Sequence, residues 1–185
     1  EDAFSHEKPV VVVHMSGRPR LLGPYGERAN ALVWAGLPGF EGAPAIAGVL
    51  SGRVNPSGRL PISYPAEPGH FLPYHHKPQE KSTAAYSFGH GLSYTTFATS
   101  ELRLNDGKAV VTITNTGKRR GRHSVLWFLQ DEVGRITRPV KRLRQYQSVW
   151  LDPGQSVQVE YVVSAGDLGY PDSEGQFVLE DGWHT

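Results

Sequence analysis

The apolar residues of this chain follow one spacing rule up to about residue 97 and another after it. In the first stretch they come in continuous runs. Residues 9–15 hold four consecutive valines, Val10 to Val13, and residues 29–35 form a second run that includes Leu32, Val33 and Trp34. The uninterrupted β-branched valines predict a strand buried on both faces, as in a parallel sheet covered by helices, and residues 29–35 read as a second buried strand. Residues 41–50 are small, apolar and rich in alanine, which predicts a helix lying close on that sheet. Residues 59–64 predict a short strand that Pro61 pushes to an edge, because proline has no amide proton for a ladder. Residues 65–86 carry Pro65, Pro68, Gly69, Pro73 and Pro78 among histidines and a Lys/Glu cluster, and read as loop.

From residue 98 the period is two. Leu102 and Leu104, Val111 and Ile113, and Val125 and Trp127 alternate with polar neighbours, and residues 157–163 continue the pattern. Asn105-Asp106-Gly107, Asn115-Thr116-Gly117 and Asp152-Pro153-Gly154 punctuate it as turns. This is the pattern of an antiparallel sandwich of immunoglobulin or fibronectin type, with Leu102, Val111, Ile113, Val125, Trp127 and Val159 facing inward. Between the two regimes lies Ser87-Phe88-Gly89-His90-Gly91-Leu92-Ser93-Tyr94-Thr95-Thr96-Phe97, whose glycines and aromatics suit a tight crossing between layers. The fold class predicted is therefore an α/β fragment, part of a mostly parallel α/β sandwich domain, over residues 1–86. A linker follows over 87–97, and an all-β sandwich over 98–185.

Both ends read as unfinished. Roughly sixty residues of α/β pattern make a marginal core on their own. At the other end Phe177 to Leu179 reads as a strand and Trp183-His184-Thr185 as a strand just begun, where about seven strands are expected. The expectation is a piece of a larger protein, or a subunit completed by another chain.

Composition narrows the partners. A formal net charge of +1 supplies no overall field toward nucleic acid or membrane, and no apolar run is long enough to span a bilayer. The first eight residues are too polar for a signal peptide, and the absence of cysteine excludes disulfides and thiol nucleophiles. Nine of the 19 Lys and Arg residues fall within 118–144. There they sit on strands and turns without a recognition helix or stacking platform, so they read as solvated faces and salt bridges to another domain.

Candidate chemistry is sparse. Glu41 opens the predicted helix, where an acid complements the dipole, and no second carboxylate accompanies it. Asp2, Glu7 and Glu27 likewise lack a partner. Gly89-His90-Gly91 lacks the Lys-Ser or Lys-Thr pair of a phosphate loop. His14, Ser16 and Arg18 form no triad, and Arg18 is expected to brace its turn through the guanidinium. His75 and His76 are adjacent, so in extended chain they point to opposite sides, which argues against a shared metal. Tyr74 or His75 remains the candidate for a ligand-facing residue, since loops often carry binding groups. No cofactor is implied.

The linker resembles the Phe-Gly-x-Gly-Leu-Ser-Tyr-Thr-x-Phe signature of glycoside hydrolase family 3, the β-glucosidase and β-xylosidase family. The likeness extends to Ser16-Gly17-Arg18-Pro19, Pro38-Gly39-Phe40-Glu41-Gly42, Asn55-Pro56-Ser57-Gly58-Arg59-Leu60-Pro61, Thr137-Arg138-Pro139-Val140-Lys141 and Leu151-Asp152-Pro153-Gly154, in the family's order. The resemblance implies the end of the second α/β domain joined to a fibronectin type III-like domain. It also implies a retaining glycosidase acting on β-glucosides or related carbohydrates through two carboxylates roughly 5 Å apart. In that family the nucleophile lies on an N-terminal barrel and the acid/base upstream of the valine run. No catalytic residue is therefore assigned to this chain, and the partner implied is the missing barrel domain or a chain that supplies it. The likeness favours a periplasmic or secreted protein and leaves a cytoplasmic one open. The rival reading is a non-catalytic sandwich module or companion subunit that binds carbohydrate or a partner protein.

Overall fold

In the computed structural model, which describes residues 2–70, 72–77, 84–132, 134–182 and 185, the first valine run is strand β1, Val11–Met15. It pairs in parallel with β2, Ala31–Gly36, placing Val12 beside Leu32 and His14 beside Trp34. The short helix α1, Pro24–Arg28, connects them, with proline in its first turn where an amide proton is dispensable. Helix α2, Gly42–Leu50, follows as the alanine-rich segment predicts. The expectation of strands buried on both faces is corrected here. Val11 is 45% and Met15 63% exposed, because the described strands and short helices cover only part of a two-stranded sheet.

Residues 59–63 do not form the strand expected of them. Pairing is confined to β3, Tyr64–Pro65, against β4, Ala84–Tyr86, the latter inside the stretch read as loop. The cause is local. Pro61 cannot donate, and the backbone of Leu60 is bonded to Gly89 and His90 (2.8 and 2.9 Å) in the crossing segment.

The second half is a two-layer antiparallel sandwich. Strands β5, Phe97–Thr99, and β6, Arg103–Asn105, share one edge of β7, Lys108–Asn115. The other layer pairs β8, Gly121–Leu129, with β9, Arg142–Leu151. Strand β10, Ser156–Val162, returns to the free edge of β7. The β6–β7 hairpin turns on Asp106 (φ 46°) and Gly107 (φ 73°), the left-handed pair that a two-residue loop requires. Helix α3, Ala165–Leu168, is held by a reciprocal Ser164/Asp167 cap, and the small hairpin of β11, Tyr170–Pro171, and β12, Phe177–Val178, follows. Beyond it, Gln130 and Thr185 exchange both backbone hydrogen bonds (2.7 and 2.9 Å). The expected strand start at Trp183 and His184 lies outside the described residues.

Val111, Ile113, Val125, Trp127 and Val159 are buried together between the layers, as alternation requires. Leu102 is not. It is 57% exposed, and Leu104 is 72% exposed. Leu104 lies opposite buried Ala109, so its parity is right, but no second layer covers this end of the edge strand. Alternation chooses a face and does not guarantee a cover.

The crossing segment ties the halves together. Gly91 has no room for a side chain, because a Cβ there would stand 2.3 Å from the Gly58 carbonyl. Asn55 accepts from the Tyr94 amide (2.7 Å) and bonds the Ser93 hydroxyl, while the Tyr94 hydroxyl donates to the Val49 carbonyl (2.9 Å). His123 of β8 packs its ring 4.6 Å from that of Phe97. Burial, with the Arg59 charge nearby, lowers the His123 pKa below the ordinary histidine value. The folded state therefore prefers the neutral ring. As pH falls, the unfolded chain takes up this proton first, so the contribution is complete above about pH 6.5 and is lost progressively below it. Melting temperatures between pH 8 and 5 should fall in the native protein and fall less in His123→Phe. Equal slopes would sink this assignment.

Candidate substrate-facing cavity

Tyr74 is placed by both halves of the molecule. Its hydroxyl accepts the Leu143 amide proton (2.7 Å), and its ring meets Phe88 edge-on at 5.5 Å. Phe88 in turn meets Phe128 edge-on at 6.0 Å, and the Lys141 ammonium lies 4.7 Å from the Phe128 centroid. The His76 carbonyl accepts the Val140 amide (3.1 Å). The loop is thus latched to the sandwich by one main-chain bond and one bond to the Tyr74 hydroxyl, beside a row of aromatic rings. Between them lies a cavity of about 540 Å³ lined by Ile62, Tyr74, His76, Phe88, Phe128 and Lys141, among others.

The structure brings Tyr74 into this cavity and leaves His75 off its wall, while the neighbouring His76 lines it. Phe88, Phe128 and Lys141 escaped the sequence reading. Phe88 was visible as part of the crossing motif, but nothing in the sequence says that β8 delivers Phe128 to the same place. Chemically the cavity offers aromatic edges, an imidazole and an ammonium. Among its described lining residues there is no Asp or Glu, so it holds no pair of carboxylates for acid/base work.

The other candidates resolve into structural roles. Glu41 is the N-cap residue of α2 but makes no side-chain bond to the first-turn amides, so its contribution is confined to the dipole. Asp2 pairs with Arg28 at 3.1 Å. The bracing expected of the Arg18 guanidinium is absent among the described residues. Instead the backbone amide of Arg18 reaches the Ser16 hydroxyl at 3.4 Å. No group of His, Asp or Glu among the described residues is arranged to hold a metal.

The sequence and the fold have known counterparts. The profile of the glycosyl hydrolase family 3 C-terminal domain matches residues 1–94, and that of a fibronectin type III-like domain matches residues 123–185. A lysosomal beta glucosidase of Dictyostelium discoideum is 38% identical over 95% of this chain and 24% of its own length. A periplasmic beta-glucosidase of Salmonella typhimurium is 36% identical over 95% of this chain and 26% of its own. The crystal structure of a beta-glucosidase from Listeria innocua in complex with glucose superposes with a TM-score of 0.90 at 29% identity. That match covers 98% of this chain and 29% of the other. The chain thus spans about a quarter of the length of the curated relatives it matches.

Proposed function

The chain belongs to glycoside hydrolase family 3, and from that premise we propose that it forms part of a retaining β-glucosidase-like enzyme that removes terminal β-linked sugars from short glycosides. Its share of the work is to shape one wall of the cleft and to stabilise the domain assembly. The carrying observation is the superposition of nearly the whole chain on a glucose-bound β-glucosidase. The two carboxylates of the reaction belong to the remainder of the enzyme, on a barrel domain or a chain that supplies it.

The division proposed is an α/β part over 1–86, the linker over 87–97 and the sandwich over 98–185. β1 and β2 are the edge of a larger, mostly parallel sheet. Support comes from Leu37 and Phe40, which leave the end of β2 with 81% and 106% exposure. Apolar side chains so placed at the carboxyl ends of parallel strands suit a covering domain. Tyr74 and His75 are proposed to face the outer part of the cleft, Tyr74 from the cavity wall and His75 from the same loop through its ring contact with Tyr74 at 4.8 Å. The ligand is a β-glucoside or a related carbohydrate. No metal, cofactor, nucleic acid or membrane is part of the reading.

Two assays test it. The isolated chain should not hydrolyse aryl β-glucosides or aryl β-xylosides, because it supplies no carboxylate pair. Grafted into the Listeria enzyme in place of the matched segment, it should preserve aryl β-glucoside hydrolysis. In that chimera Tyr74→Ala should raise KM about three- to tenfold, the worth of one aromatic contact, with kcat little changed. A folded chimera with no hydrolysis, or turnover by the chain alone, would reject the reading.

A further inference from the structure

Part of the basic stretch lies away from the aromatic-lined cavity and meets another arginine at one place. Arg53, just past the C-terminal end of α2, and Arg119 and Arg120, in the turn between β7 and β8, surround a surface cavity of about 300 Å³ together with Gly52 and Asn55. We propose that this cavity is an oxyanion-binding site for a phosphate or sulfate group. It is separate from the aromatic-lined cavity and does not rest on the glycosidase reading.

Three observations support it. First, the backbone on both sides is fixed. The Arg119 carbonyl accepts from the wholly buried Asn115 amide (2.8 Å). On the other side the Gly52 amide donates to the Val49 carbonyl (2.9 Å), in a turn whose φ of +72° suits glycine. Second, aromatic rings orient two guanidinium groups. Arg119 lies 5.8 Å from the Tyr94 centroid and Arg120 5.3 Å from that of Trp150. A guanidinium held near a ring by cation–π attraction keeps N–H donors for an oxyanion.

Third, the charge is only partly compensated. Arg120 has Asp152 at 3.5 Å, in a pair whose side chains are both about two-thirds exposed. Arg53 and Arg119 make no ion pair among the described residues. Like charges gathered around one cavity raise its potential and favour an anion. Asn55 spends its oxygen on the Tyr94 amide and one of its two Nδ2 protons on Ser93, so the guanidinium groups supply most of the donors. The volume exceeds that of a single tetrahedral oxyanion, so the group fits either free or carried on a small body such as a sugar.

Calorimetric titration of the chain with inorganic phosphate, inorganic sulfate and glucose 6-phosphate, at one ionic strength set with potassium chloride, tests the site. ³¹P line broadening follows the phosphates independently. Saturable binding is expected, weakened about tenfold in Arg53→Gln and lost in Arg53→Gln/Arg119→Gln. Arg103→Gln, on the distant edge strand β6, should bind as the native chain does, and melting curves should show all variants folded. Tighter binding of glucose 6-phosphate than of phosphate would identify a sugar-borne group; equal binding would identify the free ion. Should Arg119→Gln lower the melting temperature, Arg53→Gln alone carries the test, since its guanidinium makes no ion pair among the described residues. No saturable binding, or binding unchanged in Arg53→Gln, overturns the proposal.

Discussion

Replacing Asn115 by alanine should cost the sandwich about 3–5 kcal/mol. Asn115 ends β7 with no exposed surface, and every polar atom of its side chain is engaged. Its amide nitrogen donates to the Arg119 carbonyl (2.8 Å) and the Leu151 carbonyl (2.9 Å). Its oxygen accepts from the Thr95 hydroxyl (2.8 Å) and the Gly117 amide (3.0 Å). One side chain thus joins the crossing segment, the β7–β8 turn and the end of β9. Truncation orphans two carbonyls, a hydroxyl and an amide in a place that water reaches poorly. Leucine of similar size would restore volume and leave the same four groups unpaired. In urea the midpoint of Asn115→Ala should fall by about 2 M, taking a typical slope for a small domain. Thr114→Ala provides the contrast. That hydroxyl faces outward, bonded to Ser156 at 2.7 Å, and its loss should cost about 1 kcal/mol or less. Equal effects at the two positions would refute the hub role of Asn115.

The same residue shows where sequence reading stops. Asn115-Thr116-Gly117 is legible as a turn because Asn and Gly adopt the conformations turns need. That the Asn side chain would point inward and gather four partners depends on residues up to 36 positions away, which no local pattern encodes. The sandwich core was legible for a different reason. Period-two burial is a property of each strand alone, so Val111 and Ile113 announce their face without help from a neighbour. Leu102 and Leu104 obey the same rule and remain exposed, because cover is supplied by another layer and that layer ends short of them. The valine run of β1 failed likewise: its strand was legible, its burial was not. In the candidate cavity, Tyr74 could be anticipated from its residue type and loop. The choice between His75 and His76 turns on the local twist of the chain, and the arrival of Phe128 on the register of β8.

The ion pair of Arg138 with Asp131 should show the second large effect, and it should be non-additive. The guanidinium Nε lies 2.8 Å from the carboxylate, with the two side chains only 7% and 9% exposed. The approach is close but off the N–H axis, so attraction of charge rather than a linear hydrogen bond holds it. The same guanidinium sits 3.9 Å from the centroid of Tyr170, whose hydroxyl holds the Glu180 carboxyl below the usual range. Arg135 closes the group on Glu180 at 2.8 Å. Arg138 therefore fastens the connection after β8 to the β11–β12 hairpin. Arg138→Met keeps much of the apolar stem but leaves Asp131 in a low-dielectric site without this cation, at an expected cost of about 3–5 kcal/mol. Asp131→Leu should cost a similar amount, because it strands the guanidinium. The double variant should be less destabilised than the sum of the two, and less than Arg138→Met alone, since it removes both desolvated charges together. Urea unfolding of the four proteins closes the cycle. Additive losses would mean that the two groups act independently, and that the connection is held by something other than their charge.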